Sequence, residues 1–386
     1  MYSPESAHVL INESRFLRHW NDVGGEFGAL FIPDAGPVDN DAVRTAIDGV
    51  RGPHRPDKPF SVCPLGDGFA LLLNPSGTRA EVRRLLTELA RALEDAGLGG
   101  LLTSRYDTLA RRGERYPAPS FTAVACFTGA VIRLGEPPEY AVRPGPYTVR
   151  WTINSPDFQY LVQQVLVWAR DATDGRYLVS SGMLSSFCRE DQVADFITLA
   201  CGNIGYASLE VRAEDGRLFL AQFGSDGYLF LHAKTEGMTW HDLVSDMAAR
   251  LSEMAPSIDY GLILRSFYGA NSMDAANNFG RAQPKYLGGD YRSSHYALKE
   301  MVTDVFGVQV LGPGHPDLHP PGEWQIRDLP GGRRLVCSNR LEEWYAEEYP
   351  EPSVIDAART ENEGMLFTFE RWQARDWQAH DYHEPR

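Results

Sequence analysis

Apolar and polar positions follow two spacings along the first hundred residues, and each spacing predicts a different kind of element. Residues 26–33 (EFGALFIP) and the two apolar runs within 60–75 (FSVCPLGDGFALLLNP) have the short, nearly continuous apolar character of buried strands. The Gly-Asp-Gly at 66–68 separates those two runs and indicates a hairpin. Residues 39–50 and 78–97 have apolar side chains three and four positions apart, which predicts a helix in each.

The segment 78–97 has the clearest helical pattern in the chain. Thr78 and Glu81 have the spacing of a capping box, and Gly97 is placed to end the helix. With a short strand predicted at 99–104, the order of elements is β-α-β-β-α-β, the order of a ferredoxin-like sandwich. The predicted core of this sandwich consists of Leu30, Ile32, Val43, Ile47, Val62, Leu72, Leu85 and Leu89.

Strand and helix patterns also mix in the rest of the chain. Three strand-like runs separated by turns within 206–234 predict an antiparallel meander, and 240–256 predicts an amphipathic helix that ends at a proline. Residues 323–338 predict a hairpin around Pro-Gly-Gly, and short helices are predicted from Leu341 and Ser353. We therefore expect an α+β fold in which a second, open antiparallel-rich sheet with helices on one face follows the N-terminal sandwich.

Three regions are predicted along the chain, because 386 residues exceed the usual span of one core. The first is an N-terminal α+β lobe at 1–115, and the second is a middle α+β lobe with the meander at 116–270. The third, 271–386, combines a long polar loop, a hairpin and an acidic, aromatic helical tail. Whether the first two lobes are a duplication stays open, since their element order matches better than their residues do.

The composition is that of a globular protein, with 43% apolar and 23% charged residues. No run of eighteen apolar residues occurs, so no membrane-spanning helix and no membrane partner are expected. The N-terminus lacks the basic region and apolar stretch of a secretory signal. Five cysteines without a CxxC pair predict buried, reduced thiols, and together these features predict a cytoplasmic protein.

Charge is concentrated near the C-terminus. The formal net charge is −15, which argues against nucleic acid as a partner. Residues 341–386 hold twelve Asp and Glu against four Arg, a net of −8, and the same segment has eight aromatic residues. Solvated acidic tails are poor in aromatic rings, so part of this segment is predicted to fold or to bind.

Two explanations of the tail remain open. It is either an amphipathic helical cover for a sheet, with rings inward and carboxylates outward, or a surface on which rings anchor and carboxylates attract a basic protein. The second explanation predicts a non-enzymatic protein-binding module, such as an intracellular inhibitor or immunity-type protein. The residues predicted to contact the basic partner are Glu342, Glu343, Trp344, Tyr345, Glu347, Glu348, Trp372 and Trp377.

No catalytic, cofactor-binding or metal-binding residue is predicted. The sequence has no nucleophile elbow, no HExxH helix and no phosphate-binding loop. His315, Asp317 and His319 are close in sequence, but the prolines among them prevent the helix that would place both histidines on one face. We expect a rigid turn there.

Residues 277–296 form a locally basic, ring-rich stretch in this acidic chain. Within it Arg281, Lys285 and Arg292 are predicted to bind an anionic ligand or the acidic tail, and a solvated crossover between lobes is the alternative. Two other functions remain open beside a binding module. One is an enzyme whose site is assembled from distant residues around 267–320, and the other is a structural assembly protein.

Overall fold

The computed structural model describes most of the chain in two compact units. Unit 1 comprises residues 1–112 and 173–211, and unit 2 comprises 113–172 and 212–386. This division differs from the three predicted regions, because residues 173–211 fold with the N-terminal part of the chain. The described residues are 7–14, 16, 27–34, 36–52, 60–73, 78–109, 120–126, 131–133, 149–151, 156–173, 175–182, 184–213, 218–224, 228–234, 238–266, 302, 304–316, 323–347 and 350–366.

The first half of the described chain contains the elements β1 (Val9–Ile11), β2 (Phe27–Pro33), α1 (Asn40–Ile47), β3 (Ser61–Leu65), β4 (Gly68–Leu73), α2 (Arg79–Asp95), β5 (Gly100–Thr103), β6 (Ser120–Cys126), β7 (Val131–Arg133), β8 (Val149–Trp151) and α3 (Pro156–Ala172). The second half contains β9 (Tyr177–Ser181), β10 (Leu184–Cys188), α4 (Glu190–Asn203), β11 (Tyr206–Arg212), β12 (Leu218–Gly224), β13 (Tyr228–Lys234), α5 (Trp240–Met254), β14 (Tyr260–Ser266), β15 (Val308–Leu311), β16 (Trp324–Leu329), β17 (Arg333–Ser338), α6 (Leu341–Tyr345) and α7 (Pro352–Glu361).

The first sheet of unit 1 has five strands in the order β1-β5-β2-β4-β3. Only β1 pairs in parallel, with β5, and the other neighbours are antiparallel. Alternate residues of β2, namely Phe27, Ala29 and Phe31, belong to one hydrophobic cluster with the apolar stripes of α1 and α2. Of the eight predicted core residues, seven are buried and Ile32 is half-buried.

Helix α2 begins and ends as the sequence predicted. The Thr78 side chain accepts a hydrogen bond from the backbone N–H of Glu81, and the Glu81 carboxylate accepts one from the backbone N–H of Thr78 at 2.7 Å. At the other end Gly97 has a φ of 77°, a conformation that favours glycine, and Leu98 N donates to Leu93 O. The capping box is therefore confirmed.

Replacing Thr78 by alanine is expected to destabilise unit 1 by about 1 kcal/mol, because the backbone N–H of Glu81 at the start of α2 loses the hydroxyl that caps it. Chemical denaturation of the full chain, followed by a probe placed in unit 1, measures the change. The control is Thr87→Ala, an exposed site on the same helix. Equal midpoints for the two variants would show that the capping box contributes nothing.

The remaining strands of unit 1 are antiparallel neighbours in the order β10-β9-β11. Helix α4 packs against β3, β4 and β9. Its Gln192 side chain accepts from Gly66 N at 3.0 Å and donates to Gly66 O at 3.3 Å. The predicted β3–β4 hairpin is therefore fixed at its turn by a side chain that is distant in the sequence.

Unit 2 contains a run of antiparallel strands in the order β12-β13-β6-β14-β15-β17-β16. The predicted hairpin around Pro-Gly-Gly is confirmed as β16 and β17, with Gly331 and Gly332 at φ values of 74° and 71°. Helices α3 and α5 pack together, with the Tyr160 hydroxyl donating to Glu253 O at 2.7 Å. The two units thus confirm a mixed α+β class with mostly antiparallel sheets.

Among the helices in the described part of the chain, none has the length and apolar character needed to span a membrane.

Candidate functional site

Helix α6 contains four of the residues predicted to contact a partner. The rings of two of them, Trp344 and Tyr345, point into the interior of unit 2. The Trp344 side chain is 3% exposed and Tyr345 is fully buried. The Trp344 ring centroid lies 6.3 Å from that of Trp324 on β16. A Cβ atom at residue 307 would lie 2.6 Å from Trp344 Cγ, so only glycine fits beneath the ring. The helix is therefore seated on the strands and does not project from them.

The hydroxyl of Tyr345 ties α6 to two strands. It accepts a hydrogen bond from Val308 N at 2.9 Å and donates one to Ile263 O at 2.9 Å. Burial raises the pKa of Tyr345 well above its ordinary value, which keeps the hydroxyl protonated and able to donate. Arg265 of β14 donates to Tyr345 O and Ala346 O, and its charge is favourable at this helix C-terminus.

Helix α7 is fixed by a buried ion pair. Arg359 Nε donates to Asp304 Oδ1 at 2.9 Å and Arg359 Nη2 donates to Asp304 Oδ2 at 2.6 Å, and both side chains are 8% exposed. Burial raises the pKa of Asp304, and the two bonds from Arg359 oppose this shift. Val302 N also donates to Met365 O just beyond the helix. Both ends of the 341–366 segment are thus attached to the rest of unit 2.

The acidic residues of the same segment face solvent. Residues 341–366 contain eight acidic residues and one arginine, a net of −7, so nearly all of the −8 of residues 341–386 lies here. The arginine is Arg359, whose charge is buried against Asp304. The exposed acidic residues in the described part of this segment are Glu342, Glu343, Glu347, Glu351, Asp356, Glu361 and Glu363. We call these seven residues the acidic surface.

The predicted partner residues therefore separate into three groups. Glu342, Glu343 and Glu347 are exposed, as a surface that attracts a cation requires. Trp344 and Tyr345 lie in the interior, as the alternative of a helical cover with rings inward expects. Their expected role as anchors for a partner needs a different conformation, because neither ring is accessible in this one. The remaining predicted partner residues, Glu348, Trp372 and Trp377, lie outside the described residues, as do Arg281, Lys285 and Arg292.

The histidine in the proline-rich turn packs and forms hydrogen bonds within the fold. His315 is buried, and its Nδ1 accepts a hydrogen bond from Gly312 N at 3.0 Å. Its ring centroid lies 5.9 Å from that of Tyr260, and Arg334 donates to His315 O at 2.6 Å. Asp317 and His319 lie outside the described residues. Within the described ranges, no three His, Cys, Asp or Glu side chains are grouped so that they could hold a metal ion.

The described cysteines are poor candidates for nucleophiles. Burial raises the pKa of Cys63 and of Cys188 to about 12, and that of Cys337 to about 11, so all three stay protonated at neutral pH. Cys63 and Cys201 are buried, while Cys188 and Cys337 are half-buried. These free thiols pack as small apolar side chains.

The sequence interpretation missed the groups that attach the segment to unit 2. Arg359 has a signal that could have been found: Ile355, Ala358, Arg359 and Asn362 follow helical spacing and are all buried, so the arginine lies in the apolar stripe of α7. A cation in such a stripe predicts a buried acidic partner. Its identity as Asp304 has no signal in the local pattern, because the two residues are 55 positions apart.

No protein-family model matches the chain, and no curated protein matches it.

Proposed function

We propose that this chain is a non-enzymatic protein-binding module, of the intracellular inhibitor or immunity type, that engages a basic protein through the acidic surface. One observation carries the proposal. Seven carboxylates are exposed along a folded segment whose one arginine is buried and neutralised by Asp304. A surface of one sign attracts a partner of the opposite sign and excludes partners of like sign.

The attachment of the segment supports this role. Because Trp344 and Tyr345 hold α6 against strands of unit 2 and Arg359 ties α7 to Asp304, the carboxylates are presented from ordered backbone. A binding surface that is ordered before association avoids part of the entropy cost of binding. The buried rings thus contribute to binding by positioning the carboxylates, and Trp372 and Trp377 remain the predicted anchors.

A purely structural role for some of these carboxylates is the competing explanation. Glu342 and Glu343 lie in the first turn of α6, where negative charge stabilises a helix by about 0.3–1 kcal/mol per residue. Glu343 also pairs with Arg340 at 3.3 Å, in an exposed setting where such pairs contribute little. This explanation covers Glu342 and Glu343, and Asp356 also pairs with Arg359 at 3.7 Å, so part of the acidic surface has a structural role as well.

Replacing Glu342, Glu343 and Glu347 by glutamine is expected to slow association with the basic partner about tenfold at low salt and to leave dissociation nearly unchanged, since steering charges act on the approach of the two proteins. The partner is the basic protein that the immobilised full chain retains at low salt, and surface plasmon resonance gives both rates. Equal association rates for variant and wild type would contradict the proposal.

A matched control removes the same charge elsewhere. Asp48, Glu88 and Asp95 are exposed in unit 1, and changing them to Asn, Gln and Asn also removes three negative charges. This control should keep the wild-type association rate if the acidic surface is the contact. A loss equal to that of the glutamine variant would indicate that net charge alone attracts the partner.

We also infer that β2 to β5 with α1 and α2 form a ferredoxin-like sandwich. The strand order β5-β2-β4-β3 supports this inference, since α1 connects β2 to β3 and α2 connects β4 to β5. An experimentally determined structure with another strand order would refute it.

The proposal places the protein in the cytoplasm and does not include nucleic acid as a partner. The net charge of −15 supports the second point, and the free cysteines, four in the described residues, support the first.

A further inference from the structure

A cluster of buried polar side chains lies where α7 meets unit 2. Gln309 of β15 is fully buried, and its Nε2 donates to the Tyr260 hydroxyl at 2.8 Å and to Asp304 O at 3.1 Å. Asp304 in turn accepts the two bonds from Arg359. Asn362, three residues beyond Arg359 on the same side of the chain, is also fully buried, and its Nδ2 donates to Ala358 O at 2.8 Å.

Two oxygens of this cluster have no hydrogen-bond partner among the described residues. They are Gln309 Oε1 and Asn362 Oδ1. Rotating either amide by half a turn does not solve the problem, because each nitrogen donates to a backbone carbonyl that cannot donate in return. The cluster therefore has more acceptors than donors, and the missing group at each oxygen is a hydrogen-bond donor.

We propose that ordered water molecules occupy the interior of unit 2 beside Gln309 Oε1 and Asn362 Oδ1, each oxygen accepting a hydrogen bond from water. Buried polar groups are nearly always paired, and internal water is the usual partner when no side chain reaches them. A monovalent cation is the alternative occupant of an oxygen site, and a rubidium soak distinguishes it from water. Water supplies the donor without adding charge.

This inference does not depend on the partner-binding proposal. With these waters, α7 is attached to the rest of unit 2 through a hydrated polar contact in addition to the ion pair, and part of that contact consists of exchangeable solvent.

A crystal structure of the full chain, at a resolution that shows ordered solvent, tests the proposal. We expect a density peak at about 2.7–3.2 Å from each of the two oxygens. A second crystal of Gln309→Met should lose the peak beside residue 309, whereas the exposed control Gln325→Met on β16 should keep it.

Three results would overturn the proposal: no peak at either oxygen, a donor side chain of the chain in that place, or an anomalous peak there after soaking in rubidium, which would indicate a cation site. If Gln309→Met does not fold, the wild-type crystal and the rubidium soak still decide between these outcomes.

Discussion

Replacing Arg359 by methionine is expected to destabilise unit 2 by about 3–5 kcal/mol, the usual effect of removing one partner from a buried ion pair. Methionine fills much of the same volume, so the loss comes from electrostatics more than from a cavity. The Asp304 carboxylate keeps its bond from Val305 N at 2.9 Å but loses both bonds from the guanidinium. Denaturant unfolding of the full chain, with a probe in unit 2, measures the effect.

A control variant and a rescue variant accompany Arg359→Met. Arg340→Met removes an arginine that forms exposed pairs with Glu323 and Glu343, and it should cost about 0–1 kcal/mol. Adding Asp304→Asn to Arg359→Met should recover part of the lost stability, because no buried charge is then left alone. If Arg359→Met lost as little stability as Arg340→Met, the result would show that the pair of Asp304 and Arg359 is not buried in solution.

Replacing Trp344 by alanine is expected to cost about 3–5 kcal/mol of stability in unit 2, as large-to-small changes of a buried tryptophan do. The ring is 3% exposed and covers Gly307, so its removal leaves a cavity between α6 and the strands. The melting temperature of the full chain reports the loss. Ile326→Ala is the control, because Ile326 is an apolar residue of β16 that is 49% exposed.

The same variant separates the two explanations of the acidic, aromatic tail. If Trp344 only packs, the folded fraction of Trp344→Ala at low temperature should dissociate from the basic partner as slowly as the wild type does. If the ring anchors the partner, dissociation should be faster by about 30-fold, which corresponds to about 2 kcal/mol. The second result, with an unchanged melting temperature, would contradict the buried position of the ring.

Local elements could be predicted because their signals are local. The capping box of Thr78 and Glu81, the turn at Gly331 and Gly332, and short helices near Leu341 and Ser353 all depend on residues within a few positions of one another. The orientation of the side chains of α6 could also be predicted. Apolar rings are expected to face the interior and carboxylates the solvent, and Trp344 is buried while the neighbouring glutamates are exposed.

Long-range arrangement could not be predicted from the same signals. Strand β6 lies between β13 and β14, its neighbours a hundred or more residues later, although most strands pair with neighbours in the sequence. An apolar run predicts burial but does not specify which strand lies beside it. For the same reason the pairing of Asp304 with Arg359, and the place of residues 173–211 in unit 1, needed coordinates.

The most direct test of the acidic surface is the salt dependence of affinity for the basic partner, measured by calorimetry between about 50 mM and 500 mM salt, a range over which screening of surface charges changes strongly. Affinity should fall steeply with salt for the wild type and for the Asp48, Glu88, Asp95 control. The Glu342, Glu343, Glu347 glutamine variant should bind more weakly at low salt and show a distinctly shallower fall. An identical salt dependence for all three proteins would contradict a contact through the acidic surface.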